Sequence, residues 1–400
     1  RRHVLQIVND VGAGGLVLVP GDPGSGNHDL NPYMRHDAEL AWAAHADANG
    51  IDLASRRRLV TDLDDAVRGV AGVGFVATPF GRSDALSDAL GFADGGGVWV
   101  KDETGGVGGS QKARHLFTIL LHLRAVEILG RLTERPPLAI ASCGNAALAA
   151  ATLARAADWP IDVYVPTWMS DGFGDELDRL GARVHRCERR ASDPAGDPAM
   201  FRFREAVAAG AIPFTVQGPE NALALDGGRT LGWEIGEQLA ERRAGELDRI
   251  FVQVGGGAFA SCVGATHPSR RFHAVQAEGC APVALAWERS IEAVGDPAPG
   301  LVASRWAELM TPWPDPHSLA DGILDDETYD WLGVFDAIGT SGDAPIVAAE
   351  SDIVAAHELA RSAGFDVSPT GSAGLAGLLA IVDTIGPTER VAVVMSGVAR

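Results

Sequence analysis

From about residue 98 onward, short apolar segments alternate with alanine- and leucine-rich stretches of helical length. The segments with the length and composition of buried strands are residues 98–100, 138–141, 163–165, 214–216, 250–254, 272–277 and 391–395. Helical patterns cover residues 112–129, 146–156, 175–180, 230–240, 351–362 and 372–385, and before them 37–49 and 55–70. Strands joined by such helices predict βαβ crossovers and parallel sheets. Ligands bind at the carboxyl edge of such sheets, so the loops that follow the strands become the candidate sites.

The composition excludes several classes of protein. A length of 400 residues exceeds one ordinary core and predicts two domains. With 33 basic against 53 acidic residues, no nucleic-acid partner is expected. We find no apolar run of about 18 residues, so we expect no membrane partner and a cytoplasmic location. The cysteines are scattered and the acidic run 62–65 fits a solvated helix face, so no metal is expected.

Lysine is almost absent from the chain. Only Lys101 and Lys112 occur among the 33 basic residues, on either side of a glycine-rich loop. Lys112 follows Ser110, a suitable helix N-cap, so it is predicted in a first helical turn, where the helix dipole lowers the pKa of its amine. A neutral amine there forms a Schiff base with an aldehyde. The alternative is a solvated surface lysine, which arginine replaces elsewhere in this chain.

Two further turns follow predicted strands. The turn Ser142, Cys143, Gly144 and Asn145 offers backbone N–H groups, a hydroxyl and an amide to a carboxylate, although an ordinary capped βα turn fits equally well. No histidine partner pattern supports thiol catalysis by Cys143.

The second turn, Gly255, Gly256 and Gly257 followed by Ala258, suits a phosphate monoester at a helix N-terminus. A tight structural turn is the alternative. Ser396 follows the last strand, where its hydroxyl is placed to meet a ring nitrogen.

Six segments carry a resemblance to a known family. They are TPFGRSDALSDALG (78–91), VWVKDETGGVGGSQKAR (98–114), SCGNAALAAA (142–151), LDGGRTLGWEIGEQL (225–239), GGGA (255–258) and MSG (395–397). In this order they resemble the fold-type II pyridoxal-phosphate enzymes, which include threonine synthase, serine/threonine dehydratase and the tryptophan synthase β superfamily. The resemblance implies an α/β fold of two three-layer αβα domains with mostly parallel sheets. Residues 1–99 would join the large domain, 100–210 would form a smaller substrate-closing domain, and 211–400 the large cofactor-phosphate domain.

The resemblance also implies the roles of individual residues. Lys112 would hold pyridoxal 5′-phosphate as a Schiff base, and residues 255–258 would bind its phosphate. Asn145 would contact the ring oxygen, the turn from Ser142 would bind the substrate carboxylate, and Ser396 would face the pyridine nitrogen. A homodimer is the family's default. These features predict a lyase that eliminates the β-hydroxyl and then the amine of threonine or serine.

Several residues depart from the family pattern and keep other reactions open. Gln111 and Ala113 stand where the family has an aromatic residue and often an acid, and Ser368 stands where dehydratases carry glutamate. One alternative is a replacement reaction of the threonine-synthase type, with Arg114 and Arg229 as candidates to bind a substrate phosphate. The other is a relative that binds pyridoxal phosphate without catalysis.

Overall fold

A computed structural model of the chain describes residues 31–243, 245–267, 270–339 and 343–398. The first 30 residues of the predicted segment 1–99 lie outside the described residues. The strands in these ranges are β1 Phe80–Ser83, β2 Gly97–Asp102, β3 Leu138–Ala141, β4 Ile161–Pro166, β5 Arg183–Cys187, β6 Ile212–Pro213, β7 Arg249–Gln253, β8 Arg271–Ala277, β9 Ile346–Ala348 and β10 Arg390–Met395.

The α-helices in the described ranges vary widely in length. They are α1 Pro32–Arg35, α2 Ala41–Ala48, α3 Leu53–Ala71, α4 Asp84–Ala89, α5 Lys112–Ile128, α6 Asn145–Ala156, α7 Asp171–Arg179, α8 Pro198–Ala208, α9 Leu223–Glu241, α10 Ala258–Thr266, α11 Pro282–Val294, α12 Pro299–Val302, α13 Trp306–Leu309, α14 Trp331–Gly339, α15 Glu350–Ser362 and α16 Pro369–Ala380. Single 3₁₀ turns occupy Asp37–Glu39, Val107–Gly109, Ala303–Arg305, Asp321–Ile323 and Val382–Thr384. Within the described ranges, no helix is both long enough and apolar enough to span a membrane.

The chain divides into two compact units that interleave along the sequence. The first comprises the described part of residues 1–77, together with Gly106–Gly108 and Lys112–Thr230. The second comprises Thr78–Gly105, Gly109–Gln111 and the described part of residues 231–400. The boundaries 1–99, 100–210 and 211–400 of the functional domains stay a prediction. In the compact units, residues 78–105 supply strands to the sheet of the second unit, whereas the helices before them pack in the first.

The second unit contains a six-stranded sheet in the order β1-β2-β10-β7-β8-β9. Its pairs are parallel except β1 with β2. The sheet is buried on both faces, since Ile250 and Val252 of β7 lie in one apolar cluster and Phe251 between them lies in another. Alternation of this kind places helices on both sides of the sheet, and it confirms the αβα arrangement.

The first unit contains a four-stranded parallel sheet in the order β5-β4-β3-β6. The N-terminal helices are anchored to its other helices by buried hydrogen bonds. The Tyr33 hydroxyl donates to the carbonyl oxygen of Arg114 over 2.5 Å, and the amide of Ala41 donates to Asp226 Oδ2 over 2.8 Å. The helices before residue 78 are therefore part of this unit's core.

Most predicted strands are confirmed to within two residues at each end, but some elements differ. The strand predicted at 214–216 lies instead at Ile212–Pro213, where it pairs with β3. Strands β1, β5 and β9 and helix α8 were not predicted. The composition of β5, RVHRC, shows the reason: four of its five side chains are exposed or half-buried, so the apolar signal of a strand is missing.

Candidate active site

Lys112 is the first residue of α5, as the N-terminal placement of this lysine predicts. The loop before it contains Gly108 at φ +69° and Gly109 at φ +65°, left-handed conformations that glycine adopts without strain. A Cβ on Gly108 would lie 3.9 Å from Ala149 of α6, so this loop runs close to the helix that follows the Ser142 turn. Lys112 itself is half-buried.

His115 lies one turn beyond Lys112 and is fully buried. Burial, together with the positive charge of Lys112, lowers the pKa of His115 to about 3. Nδ1 of the ring lies 2.8 Å from the carbonyl oxygen of Ala224 and must donate to it. The imidazole is therefore neutral at physiological pH, and it does not serve as a proton store beside the lysine.

The turn predicted to hold a carboxylate links β3 to α6 in the same unit. Its four residues, Ser142 to Asn145, are half-buried. Gly144 is the N-cap of α6, and no side chain caps the helix there. Ser142 Oγ accepts a hydrogen bond from the amide of Gly144 over 3.3 Å. The turn thus presents an uncapped helix N-terminus, which favours an anion.

In the second unit, Ser396 lies immediately after β10 and is buried. Its Oγ accepts a hydrogen bond from the amide of Gln111 over 3.1 Å. Gln111 directly precedes Lys112 in the chain, so this contact ties the end of β10 to the residue next to the lysine. The Oε1 atom of Gln111 is buried and has no hydrogen-bond partner among the described residues.

The glycine turn joins β7, the neighbour of β10, to α10. Gly257 is the N-cap of α10 at φ +90°, again without a side-chain cap. The carbonyl oxygens of Gly255 and Gly256 accept hydrogen bonds from Thr328 Oγ1 and the amide of Asp330 over 2.8 and 2.9 Å. Within the described residues, the amides of Gly255, Gly256 and Gly257 have no such partner. These orphaned donors fit a phosphate monoester.

The remaining candidates have structural roles. Lys101 is fully buried in β2 and donates to Glu234, Gln238 and the carbonyl oxygen of Thr78. Ser368 is the N-cap of α16, with its Oγ accepting from the amide of Gly371 over 3.1 Å. Ser368, which stands where dehydratases carry glutamate, therefore caps the N-terminus of α16. Ala113 is buried in α5.

Cysteine and metal chemistry find no support in the described ranges. Cys143, Cys187, Cys262 and Cys280 form no disulfide among the described residues. No group of three or more histidine, cysteine, aspartate or glutamate residues in the described part of the chain has the geometry to hold a metal ion.

Sequence reasoning missed one segment at the site. Residues 325–330, DDETYD, pack against the glycine turn although they follow it by about seventy residues in the chain. No local motif marks this proximity, because a surface-like acidic run is the sequence signature of a solvated segment.

The fold defines an α/β protein of two units built on mostly parallel sheets, each with a helix N-terminus after a strand of its sheet. Residues 73–397 match the family described as "Pyridoxal-phosphate dependent enzyme", and the chain belongs to that family. No curated protein sequence matches the chain.

Solved structures with this fold come from several enzymes. The processed form of threonine deaminase isoform 2 from Solanum lycopersicum is 20% identical, with a TM-score of 0.63 over 87% of this chain and 91% of that one. Maize serine racemase is 20% identical, with a TM-score of 0.61 over 84% and 92%. An L-serine ammonia-lyase from Rhizomucor miehei is 18% identical, with a TM-score of 0.58 over 81% and 94%. At such identities the likeness shows the fold.

The cofactor of the protein is pyridoxal 5′-phosphate. The residues present fit it: a lysine at a helix start, orphaned amides at a glycine turn and a buried serine hydroxyl. The fold class and the family predicted from the sequence are confirmed.

Proposed function

We propose that the protein is an ammonia-lyase that removes the β-hydroxyl and then the amine of a small hydroxy amino acid such as threonine or serine. In this proposal Lys112 is the covalent attachment point of the cofactor, residues 255–258 bind its phosphate, and Asn145 contacts its ring oxygen. Pyridoxal phosphate supplies, when bound, an electron-withdrawing ring that stabilises negative charge at the substrate Cα.

The observation that carries the proposal is the hydrogen bond at Ser396. Because Ser396 Oγ already accepts from the amide of Gln111, its own hydrogen is directed to another acceptor, which we assign to the ring nitrogen. A serine hydroxyl, unlike a carboxylate, shares this proton without giving it up. The nitrogen then stays neutral and the ring withdraws electrons less strongly. Loss of a leaving group from Cβ is favoured over prolonged carbanion chemistry at Cα.

The chain's own groups perform the remaining steps. The uncapped turn from Ser142 to Asn145 binds the substrate carboxylate through backbone N–H groups and orients the Cα–H bond. Once the amine of the substrate has displaced it from the cofactor, Lys112 Nζ would take the Cα proton and return it to the departing β-hydroxyl, which would leave as water. The resulting enamine is hydrolysed to a keto acid and ammonia.

A replacement reaction of the threonine-synthase type is the competing function. It requires additional donors for a substrate phosphate, and Arg114, one of the two candidates, is buried in α5 and donates to Thr230 Oγ1 over 3.2 Å. Arg229 is half-buried on α9. The engagement of Arg114 supports elimination over replacement.

A spectral screen of amino acids against the purified holoenzyme tests the proposal. L-threonine or L-serine should shift the visible band of bound cofactor and release keto acid and ammonia. Turnover of O-phosphohomoserine alone would establish the replacement reaction instead. A band that no amino acid perturbs would establish the non-catalytic relative. The homodimer and the cytoplasmic location stay predictions, for which sedimentation and fractionation are the measurements.

A further inference from the structure

The acidic segment Asp325–Asp330 lies directly on the glycine turn of the second unit. A Cβ placed on Gly255 would collide with Asp325 Oδ2 and would lie 2.9 Å from the Cα of Ile323. A Cβ on Gly256 would lie 3.8 Å from Asp325 Oδ1. The carboxylate of Asp325 therefore stands within a few ångströms of the main chain that is expected to receive the phosphate.

The segment is held in this place by several contacts. Thr328 and Asp330 bond the carbonyl oxygens of the turn, as described above. On the other side, Cys280 Sγ donates to the carbonyl oxygen of Asp325 over 3.3 Å. Burial, with the negative charges of Asp325 and Asp326, raises the pKa of Cys280 to about 12. Both carboxylates are half-buried and lie close enough to Cys280 to act on its thiol.

Asp325 adds a group that opposes an anion to a turn whose amides favour one. The turn supplies amides and a helix N-terminus, both of which attract phosphate. A carboxylate at the same turn repels it, because like charges a few ångströms apart in a partly buried site interact strongly.

We propose that Asp325 determines the cofactor affinity of this protein by opposing the phosphate group, so that the covalent bond to Lys112 carries most of that affinity. The proposal rests on the assignment of residues 255–258 as the phosphate site and is independent of the reaction catalysed. It implies that the phosphate adds little to binding here.

Pyridoxal lacks the phosphate of pyridoxal 5′-phosphate and also closes in water to a cyclic hemiacetal, so its dissociation constant is referred to its free-aldehyde fraction before the two ligands are compared. Dissociation constants of both are measured by visible absorbance on apoprotein, with no amino acid present. The variant Asp325→Asn removes the charge and keeps the shape. Asp321→Asn, in the 3₁₀ turn just before the segment and exposed, removes an equal charge away from the turn and serves as the matched control.

We expect Asp325→Asn to bind pyridoxal phosphate about tenfold more tightly than the wild type, with pyridoxal affinity unchanged and Asp321→Asn like the wild type. Equal affinities in the wild type and Asp325→Asn would overturn the proposal. So would equal tightening for both ligands, since Asp325 would then act on the ring or the lysine.

The wild type alone also decides the matter if the variant fails to fold. A phosphate contribution of about tenfold or less between the two ligands supports the proposal. A contribution of a thousandfold or more contradicts it. Neither result depends on turnover, so failure of the proposed lyase reaction would be seen separately in the amino acid screen.

Discussion

The two lysines of this chain occupy opposite kinds of environment although they are eleven positions apart. Lys101 lies in β2 with its side chain fully buried, and Nζ donates to Glu234 over 2.7 Å, to the Thr78 carbonyl oxygen over 2.9 Å and to Gln238 Oε1 over 3.0 Å. These three acceptors match the three protons of an ammonium group. Lys101 is therefore held charged and cannot act as a nucleophile.

Lys112 is instead half-buried at the first residue of α5, after a loop of left-handed glycines. It stands at a helix N-terminus, where the sequence predicts a nucleophilic amine. The comparison of the two lysines shows that the rarity of lysine in the chain is not enough to identify a catalytic one. Position relative to secondary structure and the acceptors around Nζ separate the two roles.

The largest expected effect on activity comes from removing the amine of Lys112. Lys112→Ala should abolish the visible band of bound cofactor and its fixation by borohydride, and reduce turnover by about a thousandfold or more. Lys112→Arg, which keeps the charge without a nucleophilic amine, should behave alike. Absorbance spectra and mass spectrometry after reduction provide the measurement. Retention of the band by Lys112→Ala would assign the cofactor to another residue.

Removing the amine of Lys101 should lower the stability of the fold and should not affect the reaction directly. Lys101→Met removes the cation that faces Glu234 in the core, and we expect the free energy of unfolding to fall by about 3–5 kcal/mol. Urea denaturation of the apoprotein measures this loss. The double variant Lys101→Met with Glu234→Leu should recover most of it, because apolar side chains then replace the whole ion pair. A Lys101→Met protein of full stability that lacks the cofactor band would reverse the roles of the two lysines.

The place of Lys112 at a helix start was predictable from sequence because its signals are local. A strand, a glycine loop and a helix start follow one another within residues 98–114, and each has its own residue signature. The turns at 142–145 and 255–258 share this property. The family resemblance added the order of the segments along the chain, which no single motif supplies.

The features that the sequence did not predict depend on contacts between segments that are distant in the chain. Strand β5 is recognised by its pairing with β4 and not by its exposed side chains. The proximity of Asp325 to Gly255 joins residues seventy positions apart, and the acidic segment reads as solvated when taken alone. The interleaved division into units likewise follows from which sheet a strand joins, a tertiary property that residue composition does not encode.

His115, one turn from Lys112, is predicted to make the stability of the protein depend on pH. Its pKa of about 3 lies below the ordinary 6.5, so the folded protein holds it neutral while the unfolded chain protonates it. The stability from this residue is therefore complete above pH 6.5 and is lost as the pH falls toward 3, by about 1.4 kcal/mol per pH unit.

His115→Asn should remove that slope and keep a donor for the carbonyl oxygen of Ala224. Urea unfolding of both proteins at pH 7 and pH 5 tests this, and the wild type should lose more stability than the variant between the two values. Equal losses would mean that His115 is already accessible to protons in the fold.

The smallest effects separate two serines in the way that the first predictions separate two lysines. Ser396→Ala removes the hydroxyl assigned to the ring nitrogen, and we expect kcat to fall about tenfold with a shifted absorbance maximum of the bound cofactor.

Ser368→Ala removes only the N-cap of α16, so the free energy of unfolding should fall by about 1 kcal/mol while kcat and the spectrum stay unchanged. Both variants are compared by absorbance, steady-state rates and urea unfolding, because Ser396→Ala also leaves the Gln111 amide without its acceptor and loses some stability. A spectral shift in Ser368→Ala, or its absence in Ser396→Ala, would exchange the two assignments and place the electronic control of the ring at α16.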